Sequence, residues 1–251
     1  MFGLNQFSNT ENIILQGIEN KLHFGAQVYI SQDDEILADF AIGHNHPPEI
    51  DNNKELSTEA ILPWMSCSKM LTAVAIAILA ERRMISYDQK VANVIPEFSC
   101  NGKEEITIWH LLTHTSGIRL LPLQWDKISW DATVAAIAKM PIENDWKVGE
   151  QAGYHIGTSW LILGEIIRRI DGRTVDIFLK DEILTPLGMN NSGISMTKEI
   201  FKSSKSDISG LYRTDTKIPY TSLEKYFDSP NLVRPGASGR GPIKELGLLW
   251  K

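Results

Sequence analysis

An excess of positive charge is missing from this 251-residue sequence: 25 Lys and Arg stand against 31 Asp and Glu, a net charge of −6. No run of Lys and Arg forms a stripe either. Binding to a phosphate backbone needs such a footprint, so no nucleic-acid partner is expected. Cysteine is scarce. Cys67 and Cys100 are the only two, too few for a disulfide framework, and a reducing cytoplasm is the expected compartment. Long apolar runs are lacking as well. The longest, Ala73 to Ala80, falls far short of the roughly 20 residues that cross a bilayer. Met1 to Gln16 shows no basic stretch leading into an apolar core, so no secretory signal and no membrane partner are expected. Repeats and low-complexity tracts are also absent. These gaps predict a soluble, cytoplasmic, globular protein with ordinary apolar content.

Local patterns supply the architecture. Gly25–Ser31 and Glu35–Gly43 alternate as strands, with Gln32-Asp33-Asp34 as the hairpin turn between them. Ile13, Ile14, Ile18 and Leu22 mark a preceding helical stripe. His44 to Leu56 is polar and rich in Asn and Pro, which predicts a surface loop. Further on, helices are predicted at Thr107–His114, Trp130–Met140, Thr158–Asp171 and Thr174–Ile183, with Gly172 as a C-terminal stop. Lys198 to Asp228 is polar and predicted to be an extended excursion. The pattern is α+β: an antiparallel sheet flanked by helices plus a mostly helical region. The division expected is 1–85, the sheet part with its hairpin and a buried helix, and 86–251, the mostly helical part.

Ser66-Cys67-Ser68-Lys69 carries the chemistry. A serine three residues before a lysine at a helix start puts a nucleophile and a possible base on one face. Ser-x-x-Lys occurs three times, at Ser66/Lys69, Ser195/Lys198 and Ser222/Lys225. Only the first runs into an apolar helix, Met70 to Ala80, which surfaces at Glu81-Arg82-Arg83. A helix apolar on every face is expected to lie inside the protein. Burial there would favour the neutral amine that a base needs. The other two pairs sit in polar segments and are expected to be solvated. Cys67 points round the helix from Ser66 by about a hundred degrees and is expected to be a buried small residue. His110 and His114 have the spacing of a zinc pair, but no third ligand is placed, so structural hydrogen bonding is expected of them. Ser99-Cys100-Asn101 reads as a turn.

Several ordered segments resemble one family. Phe24-Gly25-Ala26-Gln27-Val28-Tyr29-Ile30 resembles its N-terminal strand, and Pro63 to Lys69 its nucleophile motif. Ile106-Thr107-Ile108-Trp109-His110-Leu111-Leu112-Thr113-His114-Thr115-Ser116-Gly117-Ile118 is strongly characteristic. Gly149 to Tyr154, Leu163 to Ile167 and Ile183 to Met189 follow in the same order. The chain is thereby identified as similar to the serine β-lactamase-like superfamily of class C β-lactamases, DD-peptidases and esterases. It resembles about the first two-thirds of a standard member. Two features depart from that pattern. Tyr-x-Asn, the second motif, occurs nowhere; Tyr154-His155-Ile156 stands in its place, about one residue further than usual from Gly164. No Lys-Ser/Thr-Gly or late-strand His-x-Gly follows, so the sheet is expected to be incomplete at its C-terminal side.

The resemblance implies a serine hydrolase that forms an acyl-enzyme on Ser66, acts on an ester or amide of a small molecule, and needs no metal or organic cofactor. Lys69 would accept the serine proton or hold Tyr154 as the phenolate that does, and Tyr154 would serve the second step. Ile156 in place of the Asn argues against an efficient β-lactamase, whereas an esterase or acyl-transfer role demands less of that position. The rival expectation is a truncated, non-catalytic or partner-completed binding module, because an open sheet edge invites a homodimer or a partner chain to complete the sheet.

Overall fold

The computed structural model describes residues 7–48, 54–212, 219–221, 235–236 and 239–250. Helix α1 (Ser8–Glu19) precedes strands β1 (Gly25–Gln32) and β2 (Glu35–Gly43). The two strands pair antiparallel from Gly25↔Gly43 to Gln32↔Glu35, with an irregularity at Ile30/Ser31. Asp33 and Asp34 both have positive φ, 50° and 65°, the conformation that matches a two-residue turn to the strand twist. The turn is thus one residue tighter than the sequence suggested.

Strand β3 (Leu62–Met65) leads into helix α2 (Ser68–Glu81). A helical layer follows: α3 (Ile108–Leu112), α4 (Trp130–Lys139), α5 (Thr158–Asp171) and α6 (Val175–Leu179), the last continued by a π-helical turn, Lys180–Leu184. Helix α3 is shorter than predicted. It begins on a capping box, in which the Thr107 hydroxyl accepts from His110 N–H and His110 Nδ1 accepts from Thr107 N–H at 3.1 Å. Helix α5 ends where predicted, because Gly172 adopts φ +90°, a left-handed stop that needs no Cβ. The supposed excursion contains helix α7 (Lys198–Ser204), started by the Thr197 hydroxyl accepting from Ile200 N–H. Strands β4 (Leu211–Tyr212) and β5 (Pro219–Thr221) pair with each other. Positions 213–218 and 222–228 of that polar stretch, with Ser222/Lys225, lie outside the described residues.

Strand β6 (Gly239–Gly241) returns to pair antiparallel with β3, Leu62↔Gly241 and Met65↔Gly239, and helix α8 (Ile243–Leu246) follows it. The main core draws Trp64, Leu71, Ile76 and Leu79 from before residue 85 together with Phe98, Ile108, Trp160, Ile166, Phe178 and Leu246 from after it. Fully burying each such side chain contributes about 1.5–3 kcal/mol.

Helix α2 is not enclosed on every side. Leu71, Thr72, Ala75, Ile76 and Leu79 face the core, whereas Ala77 is exposed and Val74 and Ile78 are half-buried. They line an open groove of about 880 Å³ with Ile85 and Tyr87. An all-apolar helix has no polar stripe to mark which face is turned outward, so composition alone overstated its burial.

Candidate active site

The turn between β3 and α2 is built to present one serine. Trp64 is buried and its indole N–H donates to the Gly241 carbonyl at 2.9 Å, fixing β3 on β6. Met65 then takes φ +48°, a left-handed conformation rare for a non-glycine residue. The chain reverses there, with Cys67 N–H on the Trp64 carbonyl and Lys69 N–H on the Ser66 carbonyl. Ser66 is left exposed ahead of the first helical turn. Cys67 shares that exposure, which corrects the expectation of a buried residue. Its place is the helix cap rather than a helical position, so rotation about the helix axis does not carry it into the core. Ser68 does turn inward: its hydroxyl donates to the Met65 carbonyl and accepts the Gly239 N–H at 2.7 Å.

Ser66, Lys69 and Tyr154 meet in space. Lys69 Nζ lies 3.1 Å from Ser66 Oγ and donates a second hydrogen bond to the Gly236 carbonyl at 2.9 Å. The lysine is only 7% exposed. Its ammonium stands 5.0 Å from the ring centre of Tyr154 and 5.6 Å from that of Trp160, so aromatic faces replace the water it has lost. One turn on, the Thr72 hydroxyl donates to the Pro235 carbonyl at 2.6 Å, and the 235–236 segment is thus held twice by α2.

Tyr154 arrives from a loop 88 residues away and donates from its phenol to Ser66 Oγ at 2.5 Å. Burial pushes this phenol's pKa up, but the hydrogen bonds with Ser66 and Lys69 and the charge of Lys69 outweigh it, leaving the group below the ordinary phenol range. A phenol so placed ionises more readily than a free one, the property a base needs. The Ser66 N–H makes no hydrogen bond to any described residue, which leaves a backbone donor on the nucleophile's own residue.

Exposed apolar side chains lie on two segments of the chain, one of them running on from Tyr154. Ile156, 60% exposed, follows Tyr154 by two residues; Leu120 and Leu123, 70% and 94% exposed, come from the loop after His114. Leu121 packs over Gly157, where an added Cβ would lie 3.2 Å from its side chain. The two segments therefore touch at Leu121 and Gly157, three residues after Tyr154.

Two residues of the site escaped sequence reasoning. Trp160 is 4% exposed and faces Lys69, and His155 is fully buried and stacks on His114. The Tyr154-His155-Ile156 tripeptide drew notice only for the Asn it lacks. His110 and His114 do not share a ligand: His110 closes the α3 capping box and His114 Nδ1 accepts the His155 N–H at 3.0 Å. Ser195 is half-buried and its carbonyl accepts from Arg240 Nε at 2.9 Å, far in role from a nucleophile.

Comparison with known proteins bears on the family and the fold. The Beta-lactamase family model matches residues 11–206. Penicillin-binding protein 4* of Bacillus subtilis (strain 168) is 28% identical over 191 residues, covering 72% of this chain and 40% of that protein. The octameric penicillin-binding protein homologue from Pyrococcus abyssi superposes with a TM-score of 0.80 at 24% identity, over 98% of this chain and 55% of that one. EstCE1, a hydrolase with promiscuous acyltransferase activity, gives a TM-score of 0.81 at 16% identity, over 96% and 70%. The chain thus spans about half the length of such relatives. With the family model matched across most of its length and the shared fold superposing on nearly all of it, the chain belongs to the beta-lactamase family.

Proposed function

We propose that this chain carries the acylating half-site of a serine hydrolase that cleaves esters of small, apolar acids or alcohols. One observation carries the reading: Ser66 Oγ stands at 2.5 Å from the Tyr154 phenol and 3.1 Å from Lys69 Nζ. With Tyr154 ionised, the Ser66 hydroxyl gives it a proton while Oγ attacks the ester carbonyl. The oxyanion that forms is met by the free Ser66 N–H. Collapse expels the alkoxide, which takes the proton from Tyr154, and leaves the acyl group on Ser66. Water then attacks the acyl carbon, again losing its proton to Tyr154, and Ser66 leaves reprotonated with release of the acid. Lys69 keeps the phenolate and Ser66 in line by hydrogen bonding and charge.

Ile156, exposed two residues after Tyr154, supports an ester with an apolar group over a substrate whose amide needs a polar partner there. The relatives' names, a penicillin-binding protein and a hydrolase with acyltransferase activity, are consistent with acyl chemistry of this kind. No helix among the described residues is long and apolar enough to cross a membrane; that and two free cysteines support a cytoplasmic site of action. The test is intact mass after incubation with a fluorophosphonate probe, beside Ser66→Ala. A single adduct lost in the variant is expected; an adduct that survives Ser66→Ala, or none on a folded chain, overturns the reading.

A further inference from the structure

Tyr154 is 53% exposed, so its own packing does little to place the phenol. Its backbone is held instead by two imidazoles. His155 is fully buried. Its Nδ1 lies 2.5 Å from the Gly153 carbonyl, and its Nε2 lies 3.1 Å from the Ile118 N–H and 3.1 Å from the Ser116 hydroxyl. A carbonyl only accepts and an amide only donates, so the ring carries its proton on Nδ1 and accepts at Nε2. The His155 main chain extends the clamp. Its N–H donates to His114 Nδ1 at 3.0 Å, and the Gly153 N–H donates to the His114 carbonyl at 3.0 Å. The His114 ring lies 5.0 Å from that of Tyr154 and 5.6 Å from that of His155.

We propose that His155, with His114, is a positioning residue for Tyr154: the two rings lock residues 153–155 onto the 114–118 turn and so set the phenol oxygen against Ser66 Oγ. The proposal deepens the hydrolase reading, on which the role of Tyr154 rests, but its geometric content is independent of turnover. An apolar side chain at 155 would leave the buried Ile118 N–H and the half-buried Gly153 carbonyl without this partner, and the loop would shift to resolve them. A displacement of about 1 Å is enough to cost on the order of a hundred-fold in rate. The charged and titratable groups around the pair are few. The Arg119–Glu143 ion pair and the edge of Trp146 flank His155, and Lys69 faces His114 across Tyr154. Protonating His155 Nε2 would turn its acceptor into a donor facing the Ile118 N–H, so the clamp is intact only with a neutral ring.

The test follows the phenol itself. Tyrosinate absorbance is titrated in the full chain, its Tyr154→Phe variant, His155→Leu and His155→Gln; wild type minus Tyr154→Phe isolates one phenol. That phenol is expected to ionise below the ordinary range in wild type, to return to it in His155→Leu, and to remain low in His155→Gln, whose amide can both donate and accept. Fluorophosphonate labelling of Ser66 should slow about a hundred-fold in His155→Leu and recover in part in His155→Gln. A folded His155→Leu whose phenol titrates as in wild type overturns the positioning role, as does a wild-type phenol in the ordinary range. Should His155→Leu fail to fold, His114→Phe decides: it keeps a ring but removes the acceptor for the His155 N–H, and an unmoved phenol again overturns the role. A phenol that responds to these variants while Ser66 is never labelled leaves the clamp standing and removes the hydrolase reading alone.

Discussion

Gly239 donates its backbone N–H to the buried Ser68 hydroxyl at 2.7 Å, which ties the returning strand β6 to the turn that presents Ser66. The tie has no room for a side chain: a Cβ at Gly239 would overlap the Ser68 hydroxyl and lie 3.0 Å from its Cβ. Gly239→Ala is expected to lower stability and to slow Ser66 labelling, because the turn must shift. Ser68→Ala leaves the Gly239 N–H buried without its partner and should cost about 1–3 kcal/mol in urea unfolding. Wild-type stability in both variants would show that the tie contributes nothing.

Specificity of the nucleophile is separable from its motif. Ser66→Ala is expected to abolish hydrolysis of an activated aryl ester, while Ser195→Ala leaves it within two-fold of wild type, about 0.4 kcal/mol in barrier. Assays of both purified variants decide the matter.

The buried His155 makes stability depend on pH. Burial pushes its imidazole down to about 4 from an ordinary 6.5, against the opposing pull of the Gly153 carbonyl. Its folded pKa is lower than its unfolded one, so the unfolded chain holds more protons between those values. The stabilisation is fully present above about 6.5 and is lost as pH falls towards about 4, an effect on the order of 3 kcal/mol. Urea midpoints across this window should fall in wild type and flatten in His155→Gln. Parallel slopes in the two proteins would contradict the assignment.

Glu165 is buried within helix α5 between Arg168 and Arg169, at 2.7 Å from each Nε, and accepts the Trp130 indole N–H at 2.7 Å. Burial raises its pKa, yet the bonds from Arg168, Trp130 and Arg169 outweigh it and hold the carboxyl below its usual range. Glu165→Ala leaves the Trp130 indole N–H unpaired and takes one carboxylate from Arg168 and Arg169, which keep Asp131 and Glu97, and should destabilise by roughly 1–3 kcal/mol. Thermal melting of the variant measures it.

The apolar groove beside α2 bears on association. Val74, Ala77 and Ile78 line it without cover, and β3 has β6 as its paired strand. The isolated 251-residue chain is expected to self-associate through this side. Light scattering checks it; a sharp monomer with cooperative melting contradicts it, and Ala77→Glu should shift an associated form towards monomer.

Sequence made the hairpin, helix α5 and the meeting of Ser66, Lys69 and Tyr154 legible, for different reasons. Residues 25–43 alternate around a turn, and α5 is amphipathic with Gly172 as its stop, so local physics suffices. The three site residues came from ordered motifs, since no periodicity brings Tyr154 to Ser66 across 88 positions. Cys67, Ala77 and His155 were not legible. Whether an apolar or small residue faces the core depends on what packs beside it, and a histidine's burial depends on an amide and a carbonyl supplied by distant turns. The α7 helix was missed because its polar composition lacks a buried stripe.

Met65, the left-handed residue ahead of the nucleophile, sits in a turn where neighbouring side chains each hold two jobs: Ser68 joins two backbone segments, and Lys69 serves both Ser66 and the Gly236 carbonyl. Such a turn tolerates little variation, because any exchange is judged twice. Ile156, Leu120 and Leu123 carry no comparable burden. Anyone wishing to retune this chain's substrate range by directed evolution should therefore leave residues 64–69 untouched and begin with Ile156.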